Sequence, residues 1–537
     1  MAYILAYDIG TTGVKTCLFQ IEDKIKLIAG ATSSYNLYMV DNGGAEQDVE
    51  EWWSAMCIST KNVFDKTKIQ PSQISGISFC SQMQGLVLVD KNGTPVHRPM
   101  SYMDQRATKE LKEGIAYGPQ IAGANIYKLL VSLKITGAVS SSVKDPMWKY
   151  KWIEKNEPEN FLRAYKWLDV KEYIIARCTG EFVMTEDSAY STLLYDTTKK
   201  DWSMQLCKMF GIHPEHLPKI IQTTDVVGLL RKQQAKELGL VEGIPIFGGG
   251  GDATLIGIGA GCVKVGQTHI YSGTSGWVST IVDHQMVDTN AMIAAIVGAQ
   301  KGRYNYFAEM ETAGKCLEWV KDHLALDEID VYLDKRDITQ DTRMGMEKVC
   351  ASLYEYMTDV VKRAKPGSGG VIFTPWLHGN RCPFEDKNAA GMFFNIGLTT
   401  GKTELIRAVL EGICYHMRWM LECQDKKVKT SEAIRFCGGG ALSDVTNQIL
   451  ADVTGRIIEV VENPQNVGAI GAAATAAVGC NLIDSMDCLG EFIPVEKTFY
   501  PNPENKKIYD EVFAVFKELY SSNKKNFNRI NSSSAVS

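Results

Sequence analysis

The pattern of apolar and polar positions begins with two short apolar runs separated by a turn. Residues 3–7 are apolar, Asp8 ends this run, and a second apolar-rich run covers residues 14–19. The tip between them, residues 10–13, reads GTTG, and two runs joined in this way predict a β-hairpin. The backbone N–H groups and threonine hydroxyls of such a tip suit an anion, with Lys15 adding charge and Asp8 holding a hydrated divalent cation. A tight loop that binds nothing is the alternative.

The same pattern returns about half a chain later. Residues 271–278, YSGTSGWV, repeat the tip of residues 7–14, YDIGTTGV, again after an apolar strand. Two such hairpins predict duplicated α/β domains that face one nucleotide. The order of strand, hairpin, strand and then mixed helices and strands favours α/β layers over a barrel.

A glycine-rich turn follows the short apolar strand at residues 244–247. Residues 247–261 read FGGGGDATLIGIGAG, so four glycines precede Asp252 and an apolar run that predicts a buried helix follows it. Glycines let a backbone turn sharply or approach a ligand closely. A carboxylate held on such a turn in a poorly solvated setting is a candidate general base. A flexible hinge with an aspartate at the helix N-cap is the alternative.

A third glycine-rich stretch, residues 437–444, reads CGGGALSD. It lies between a predicted strand at residues 433–436 and a predicted helix with Ser443 as N-cap and Gly455 as its end. Three glycines there serve either close approach to a flat ring or phosphate, or tight packing of strand against helix. The pattern leaves both uses open.

A polar break separates two further apolar runs. Residues 74–79 alternate with period two, the break at residues 81–85 reads SQMQG, and apolar residues resume at 86–89. This break is either a pocket wall or a simple hairpin loop, and the pattern alone leaves both open.

Three other segments complete the pattern. Apolar residues recur at helical spacing between residues 405 and 421, which predicts a core helix. Residues 322–348 are charge-rich and poorly periodic, and we expect a surface excursion with helical pieces there. The small, polar tail from Ser532 is predicted to be disordered.

Composition narrows the class of protein. A chain of 537 residues is long enough for two or more domains. The formal net charge of -6 leaves no basic surface of the kind that nucleic acid requires, so nucleic acid is not expected as a partner. The fourteen cysteines are scattered without metal-ligand spacing, which is typical of reduced thiols in a cytosol. The start lacks a signal-peptide pattern and the longest clean apolar run is too short to cross a membrane, so we expect a cytoplasmic protein without a membrane partner.

Taken in order, these motifs resemble those of the FGGY carbohydrate kinases, and among them are most similar to those of bacterial xylulokinases. The similarity runs from Asp8 to about Gly479 and includes the spacing between the motifs. It implies an α/β fold of two ribonuclease H-like domains, as in actin and the sugar kinases, with ATP and substrate in the cleft between them. We expect an N-terminal domain over residues 1–248, a C-terminal domain over 249–495, and a C-terminal helix with a disordered tail over 496–537.

The resemblance also implies site residues. Residues 8–15 resemble the first phosphate loop, 271–276 the second, and 438–444 the adenosine loop, while 391–412 resemble the long C-terminal signature. Asp252 matches the catalytic aspartate, the base for the sugar hydroxyl, and Asp8 the residue that holds Mg²⁺. The implied ATP contacts are Gly10, Thr11, Thr12, Gly13, Lys15, Gly273, Thr274, Ser275, Gly314, Gly439, Gly440 and Asp444. The implied sugar-side residues are Gln82, Met83, Gln84, Asp104, Arg106 and Ala253.

The sequence departs from the xylulokinase pattern on the sugar side. Gln84 stands where histidine is usual, Ala253 where asparagine is usual, and Asn380 where glutamate is usual. Loss of hydrogen-bonding side chains beside a base changes which hydroxyls are paired, and such contacts decide selectivity by ~10⁴-fold or more. The departures therefore bear on which sugar is used.

These expectations combine into one hypothesis with alternatives. The chain is expected to use ATP and Mg²⁺ to phosphorylate a small sugar, foremost a ketopentose such as D-xylulose to its 5-phosphate. Other ketoses, polyols or aldonates, such as ribulose, erythrulose, glycerol and gluconate, are the alternatives within the kinases. An actin-like ATPase module without sugar kinase activity is the alternative from another class. The sequence leaves the oligomeric state open, with a homodimer as one option.

Overall fold

The structure, a computed structural model, describes residues 2–121, 123–325 and 358–532. Most of the expected excursion at 322–348 and the tail beyond Ser532 lie outside the described residues. Two mixed β-sheets dominate the described chain, and each contains one of the two predicted hairpins at its centre.

The first sheet is built around the hairpin of β1 and β2. Its strands are β1 (Ala2–Ile9), β2 (Gly13–Ile21), β3 (Ile25–Ser34), β6 (Ile74–Ser81), β15 (Val226–Leu229), β16 (Pro245–Phe247) and β17 (Gly250–Gly251). Their order is β15-β16-β6-β1-β2-β3, with β17 paired to β6. β1 runs antiparallel to β2 and parallel to β6, so the turn after β1 and the end of β6 meet at one edge.

The second sheet repeats this arrangement. Its strands are β18 (Thr268–Ser272), β19 (Gly276–Val282), β20 (Val287–Asp288), β21 (Ile293–Val297), β22 (Tyr304–Met310), β25 (Ala433–Cys437), β26 (Ile457–Val461) and β27 (Val495–Phe499). β18 is antiparallel to β19 and parallel to β25, as β1 is to β2 and β6. The duplicated α/β architecture predicted from the two hairpins is confirmed.

Short strand pairs and helices surround the sheets. The pairs are β4 (Tyr38–Val40) with β5 (Gly44–Glu46), β7 (Val87–Val89) with β10 (Lys166–Leu168), β8 (Gln120–Ile121) with β9 (Ala124–Asn125), β11 (Val183–Thr185) with β14 (Lys219–Ile221), β12 (Tyr195–Asp196) with β13 (Asp201–Trp202), and β23 (Ile372–Phe373) with β24 (Phe393–Phe394). The helices of the first half are α1 (Val49–Asp65), α2 (Thr108–Ile115), α3 (Ile126–Thr136), α4 (Pro146–Asn156), α5 (Pro158–Phe161), α6 (Val170–Thr179), α7 (Glu186–Ser191), α8 (Met204–Phe210) and α9 (Lys232–Leu238). Those of the second half are α10 (Asp252–Gly259), α11 (Gly314–Val320), α12 (Lys402–Asp425), α13 (Asp444–Thr454), α14 (Val467–Gly479), α15 (Leu489–Phe492) and α16 (Lys506–Asn531).

Helices α10 and α14 form the layer between the two sheets. They cross so closely that a Cβ atom on Gly259 would collide with the backbone oxygen of Val467, and one on Gly471 with that of Leu255. Apolar residues of both helices share one buried core with Ile4 of β1. Because this layer touches both halves, it fixes where the two hairpins stand relative to one another.

Several local predictions agree with the structure, and one differs from it. The core helix predicted between 405 and 421 lies within α12, and Ser443 caps α13 by accepting a hydrogen bond from the Thr446 N–H. Gly455 ends α13 in the left-handed conformation. Asp8 does not end its strand, because β1 continues to Ile9.

The polar break at 81–85 is not a hairpin loop. β6, before it, pairs with β1 and β16, whereas β7, after it, pairs with β10 in a separate ladder. The two strands that flank the break therefore belong to different sheets. The break lies at the edge of the first sheet where the first hairpin turns.

Candidate active site

Asp252 is the first residue of α10, at the end of the glycine turn. Gly249 has a φ of +61°, and a Cβ atom there would collide with the backbone oxygen of Phe79 on β6. A Cβ atom on Gly251 would collide with the Met83 side chain. These glycines are required by close packing against β6 and the polar break, so the turn is held firmly and is not a free hinge.

The carboxylate of Asp252 has an unusual proton affinity. Burial is the largest cause and raises its pKa to about 7, while a hydrogen bond from the Ala253 N–H opposes the shift. The negative charges of Asp8 and Glu309 raise the pKa further. A carboxylate with a pKa near neutrality is well matched to accept a proton from a hydroxyl.

Asp8 lies at the end of β1 and against the start of helix α14. A Cβ atom on Gly468, in the first turn of α14, would stand 2.7 Å from Asp8 Oδ2 and 3.0 Å from Cys80 Sγ. Burial raises the pKa of Asp8, and the charge of Lys15 lowers it. The helix N-terminus next to it favours the charged carboxylate.

The tip of the first hairpin is tied to the polar break through two glutamines. The Gly10 N–H donates to the Gly13 oxygen at 2.9 Å, which closes the tip. Gln47 Nε2 donates to the Thr11 oxygen at 2.6 Å, and Gln82 Nε2 donates to Gln47 Oε1 at 2.9 Å. The expected phosphate loop and the expected sugar loop therefore form one hydrogen-bonded unit.

Tyr35 forms hydrogen bonds with the backbone of the first hairpin tip. The Tyr35 N–H donates to the Thr12 oxygen at 3.0 Å, and the Tyr35 hydroxyl donates to the Gly10 oxygen. The side chain of Thr12 is exposed. Its backbone is thus fixed while its hydroxyl faces outward.

Lys15 is placed differently from the simplest expectation. Its Nζ donates to the backbone oxygen of Gln465 at 2.6 Å, just before α14 begins. The lysine charge still acts on Asp8, whose pKa it lowers. Lys15 thus joins the two halves of the chain as well as adding positive charge beside Asp8.

The second hairpin brings together the other residues expected to bind ATP. The Gly273 N–H donates to the Ser275 oxygen at 2.9 Å, two residues further on, whereas Gly10 in the first tip bonds the residue three positions on. The side chain of Thr274 is exposed. The Gly314 N–H donates to the Gly273 oxygen at 2.8 Å. A Cβ atom on Gly440 would lie 2.7 Å from Ser272, so the adenosine loop packs on the same strand end.

The outer end of that loop is more open. Gly439 has open space around it, and Asp444, the first residue of α13, is exposed and pairs with Lys497 at 2.9 Å. The burial of Tyr271, with the charges of Asp8 and Asp252 next in effect, raises its pKa. The second hairpin therefore stands near the two aspartates of the candidate site.

The polar break supplies one face of the expected sugar pocket. Met83 covers Gly251 beside Asp252, and Gln84 adopts a φ of +62°. Lys149 Nζ donates to the Gln84 oxygen at 2.8 Å. Burial lowers the pKa of Lys149 to about 8, and its bond holds the strained residue in place.

Asp104 and Arg106 are committed to partners within the protein. Asp104 is fully buried, and its Oδ2 accepts from the Ala45 N–H at 2.8 Å and from Arg106 Nε at 3.0 Å. Arg106 Nη1 pairs with Glu46 at 2.8 Å and its guanidinium lies 4.5 Å from the centre of the Trp152 ring. In this structure the pair braces the loop behind the pocket.

Two of the departures from the xylulokinase pattern have a structural role here. The oxygen of Ala253 accepts from Asn305 Nδ2 at 3.2 Å, so an asparagine on β22 contacts the residue after the base. Asn380 is buried and its Nδ2 donates to the oxygens of Cys382 and Phe384, each at 2.9 Å. Asn380 thus shapes its own loop.

The structure adds two residues, Glu309 and Tyr102, that the sequence motifs did not indicate. Glu309 on β22 pairs with Arg381 Nη1 at 2.8 Å, and its charge raises the pKa of Asp252. The hydroxyl of Tyr102 accepts from Thr11 Oγ1 at 3.4 Å. One sequence signal could have indicated Glu309. Tyr306, Ala308 and Met310 alternate along β22 and are buried, so this alternation puts Glu309 on the opposite face of the strand. No local signal marks Tyr102.

No group of three metal-ligating histidine, cysteine, aspartate or glutamate side chains occurs in the described part of the chain. Within the same ranges, no helix has the length and apolar character needed to cross a membrane.

Comparison with known proteins identifies the family of the chain. The model of the N-terminal domain of the FGGY family of carbohydrate kinases matches residues 3–259, and that of the C-terminal domain matches residues 269–480. Gluconokinase of Bacillus subtilis (strain 168) is 28% identical over 525 residues, which cover 96% of this chain and 95% of that protein. Xylulose kinase of the same organism is 26% identical over 526 residues, with 98% of each chain covered.

Solved structures give the same pair of names. Gluconate kinase from Lactobacillus acidophilus has a TM-score of 0.82 and 26% identity, and covers 98% of this chain and 99% of its own. A ligand-bound xylulose kinase from the same organism also has a TM-score of 0.82 and 26% identity, with 98% and 100% covered. The fold is therefore the two-domain α/β fold of these proteins.

Proposed function

Because this chain belongs to the FGGY family of carbohydrate kinases, we propose that it transfers the terminal phosphoryl group of ATP to a primary hydroxyl of a small, neutral sugar. A ketopentose such as D-xylulose, converted to its 5-phosphate, is the first candidate. The observation that carries the proposal is the position of Asp252. It is the first residue of α10, in the electrostatic reach of Asp8 and next to Met83 of the polar break.

Asp252 orients the substrate hydroxyl and accepts its proton as the bond to phosphorus forms. Phosphoryl transfer proceeds through a loose transition state, so the protein acts mainly by positioning reactants and stabilising charge. The two hairpin tips bind phosphate oxygens, and the loop at residues 438–444 contacts adenosine. Lys15 adds positive charge on the Asp8 side.

The residues present suit a magnesium ion. Asp8 and Asp252 are carboxylates, and the charge of Asp8 raises the pKa of Asp252. Oxygen ligands with negative charge are what Mg²⁺ prefers. Asp8 would hold the ion through water, and the ion would neutralise phosphate charge. Magnesium is part of this proposal.

We propose residues 1–248 and 249–495 as the two bodies that close around the substrates, with 496–537 as a C-terminal extension. Closure excludes water, which would otherwise take the phosphoryl group. Lys15 of the first proposed body donates to the backbone oxygen of Gln465 in the second at 2.6 Å, which supports a joined base for this motion.

The electrostatics of the site favour a neutral sugar over an aldonate. Asp8 and Glu309, whose charges raise the pKa of Asp252, are both carboxylates. A substrate carboxylate would add to this negative charge. The second candidate, an aldonate such as gluconate, is supported by the gluconokinase relatives and by Arg381, whose side chain is 54% exposed beside Glu309.

Release of ADP from Mg·ATP tests the proposal across ketopentoses, tetruloses, polyols and aldonates. We expect one neutral sugar to give turnover that Asp252→Ala loses by ~10²- to 10⁴-fold, while ATP affinity changes little. Asp283→Asn is the matched control, because Asp283 is exposed and pairs with its neighbour His284 at 2.7 Å. This variant should keep native turnover.

The other outcomes are equally specific. Turnover with gluconate alone would move the assignment to the aldonate, and Arg381→Gln should then raise its KM. Basal ATP hydrolysis that no panel member stimulates, and that Asp252→Ala leaves unchanged, would reject Asp252 as the base and favour an ATPase module.

A further inference from the structure

The glycines of the turn cannot orient Asp252 through side chains of their own. Residues 248–251 have no side chains, so they offer no side-chain hydrogen bonds. The turn is held by close packing against Phe79 and Met83, and the N–H groups of Gly248 and Gly249 donate to backbone oxygens at 3.1 Å and 3.0 Å. The N–H of Gly251, directly before Asp252, takes a side-chain partner from outside the turn.

Asp187, on the short helix α7, is that partner. Its Oδ2 accepts from the Gly251 N–H at 2.8 Å and from the Thr254 hydroxyl at 2.6 Å. Gly251 directly precedes Asp252 and Thr254 lies two residues after it. One carboxylate oxygen therefore holds the backbone on both sides of the expected base.

Asp187 is itself held by a buried chain of hydrogen bonds. Thr185 Oγ1 donates to Asp187 Oδ1 at 2.5 Å, and Lys171 Nζ donates to Thr185 Oγ1 at 2.7 Å and to Ser188 Oγ at 2.8 Å. Asp187 is 1% exposed and Lys171 is fully buried. A buried carboxylate must be hydrogen-bonded or paired, and this one has donors on both oxygens.

We propose that Asp187 is a positioning residue for phosphoryl transfer, which sets the direction of Asp252 through the Gly251 N–H and the Thr254 hydroxyl. The proposal rests on the function proposed above, because it assigns a role relative to the same base. The action depends on an accepting oxygen at this point. Asn retains one such oxygen and Ala retains none, so the two variants separate the acceptor from the negative charge.

Steady-state kinetics on the active sugar provide the first test. We expect Asp187→Ala to lower kcat by at least ~30-fold with the KM for ATP changed less than about twofold, and Asp187→Asn to recover most of the loss. Thr254→Val should lower kcat by ~3- to 10-fold, and Thr254→Ser should restore it. The Thr254 pair keeps the test decisive where Asp187→Ala does not fold.

Glu411 offers a matched control. It is a fully buried carboxylate that accepts from the Gly367 N–H at 3.1 Å and the Ser368 hydroxyl at 2.7 Å, on α12. Glu411→Gln should lower the melting temperature without lowering kcat. An Asp187→Ala variant that likewise loses only stability would overturn the proposal.

A double variant separates positioning from general stability. In an Asp252→Asn background, adding Asp187→Ala should change the residual turnover by less than about threefold, because the group it positions is already gone. A further 30-fold loss in that background would contradict the proposal. Full activity of Asp252→Asn alone would instead reject the proposed function.

Amide hydrogen exchange gives a readout that needs no substrate. Asp187→Ala should raise the exchange rate of the segment 248–255 by at least tenfold, and Glu411→Gln should leave that segment unchanged. Unchanged exchange at 248–255 in both variants would overturn the proposal even where no sugar substrate had been found.

Discussion

The Nζ of Lys15 lies 2.6 Å from the backbone oxygen of Gln465, so a hydrogen bond joins the first hairpin to the segment that starts α14. The same lysine lowers the pKa of Asp8, whereas burial raises it. One side chain thus connects the contact between the two halves with the charge state of the expected magnesium-binding residue.

Replacement of Lys15 by Met should weaken both effects. We expect Lys15→Met to raise the Mg²⁺ concentration for half-maximal activity severalfold, because protonation of Asp8 then competes more strongly with the cation. Lys24→Met is the matched control, since Lys24 also pairs across the two halves, with Glu462 at 3.0 Å, but is half-exposed. Such a pair contributes about 0.2 to 1 kcal/mol, so Mg²⁺ dependence should be unchanged.

The pH dependence of activity should report Asp252. The raised pKa of about 7 means that the base is protonated below neutrality, so kcat/KM should fall as the pH drops below about 7. A profile that stays flat down to about pH 5 would contradict Asp252 as the base.

The free energy of unfolding should depend on pH in the opposite direction to kcat/KM. The folded-state pKa of Asp252 is raised, so its ionisation destabilises the folded chain, and the free energy of unfolding falls as the pH rises towards about 7. Three pKa units correspond to roughly 4 kcal/mol at most. Asp252→Asn should therefore raise the melting temperature more at about pH 8 than at about pH 5.5. Equal shifts at both values would argue against the raised pKa.

Glu309 should affect the pH at which kcat/KM falls on the acidic side of the profile. Its negative charge raises the pKa of Asp252, so Glu309→Gln should move the acidic limb of kcat/KM to lower pH, by about half a unit or more. Glu459→Gln is the control, because Glu459 forms a similar half-buried pair with Arg435 at 3.0 Å on β26 and β25. An unmoved limb in Glu309→Gln would place Glu309 outside the site.

The glycine turn should tolerate no side chain at Gly249. Its φ of +61° and the collision of a Cβ atom with the Phe79 oxygen combine strain and overlap, so Gly249→Ala should lose at least ~10² in kcat and several kcal/mol in the free energy of unfolding. Gly243→Ala separates the two causes, since Gly243 has a φ of +88° with open space around it. That variant should cost only about 1 kcal/mol, measured by urea unfolding, with native kcat.

The sequence by itself determined the elements whose cause is local. The two glycine tips between apolar runs predicted both hairpins, the glycine turn predicted Asp252 at the start of a helix, and Ser443 with Gly455 predicted the ends of α13. Each depends on a few neighbouring residues, because turn geometry, capping and helical periodicity act over short stretches of chain. The family resemblance extended these to ATP and sugar, and the family is confirmed.

Tertiary structure alone decided which distant groups meet. Lys15 contacts Gln465, which lies 450 positions further along the chain, Glu309 acts on Asp252 from β22, and Asp187 bonds Gly251 from α7. The polar break at 81–85 is not a hairpin loop because β6 and β7 joined different ladders. Burial and the approach of charges depend on packing between elements far apart in the chain, and these raised the pKa of Asp252, which no local pattern encodes.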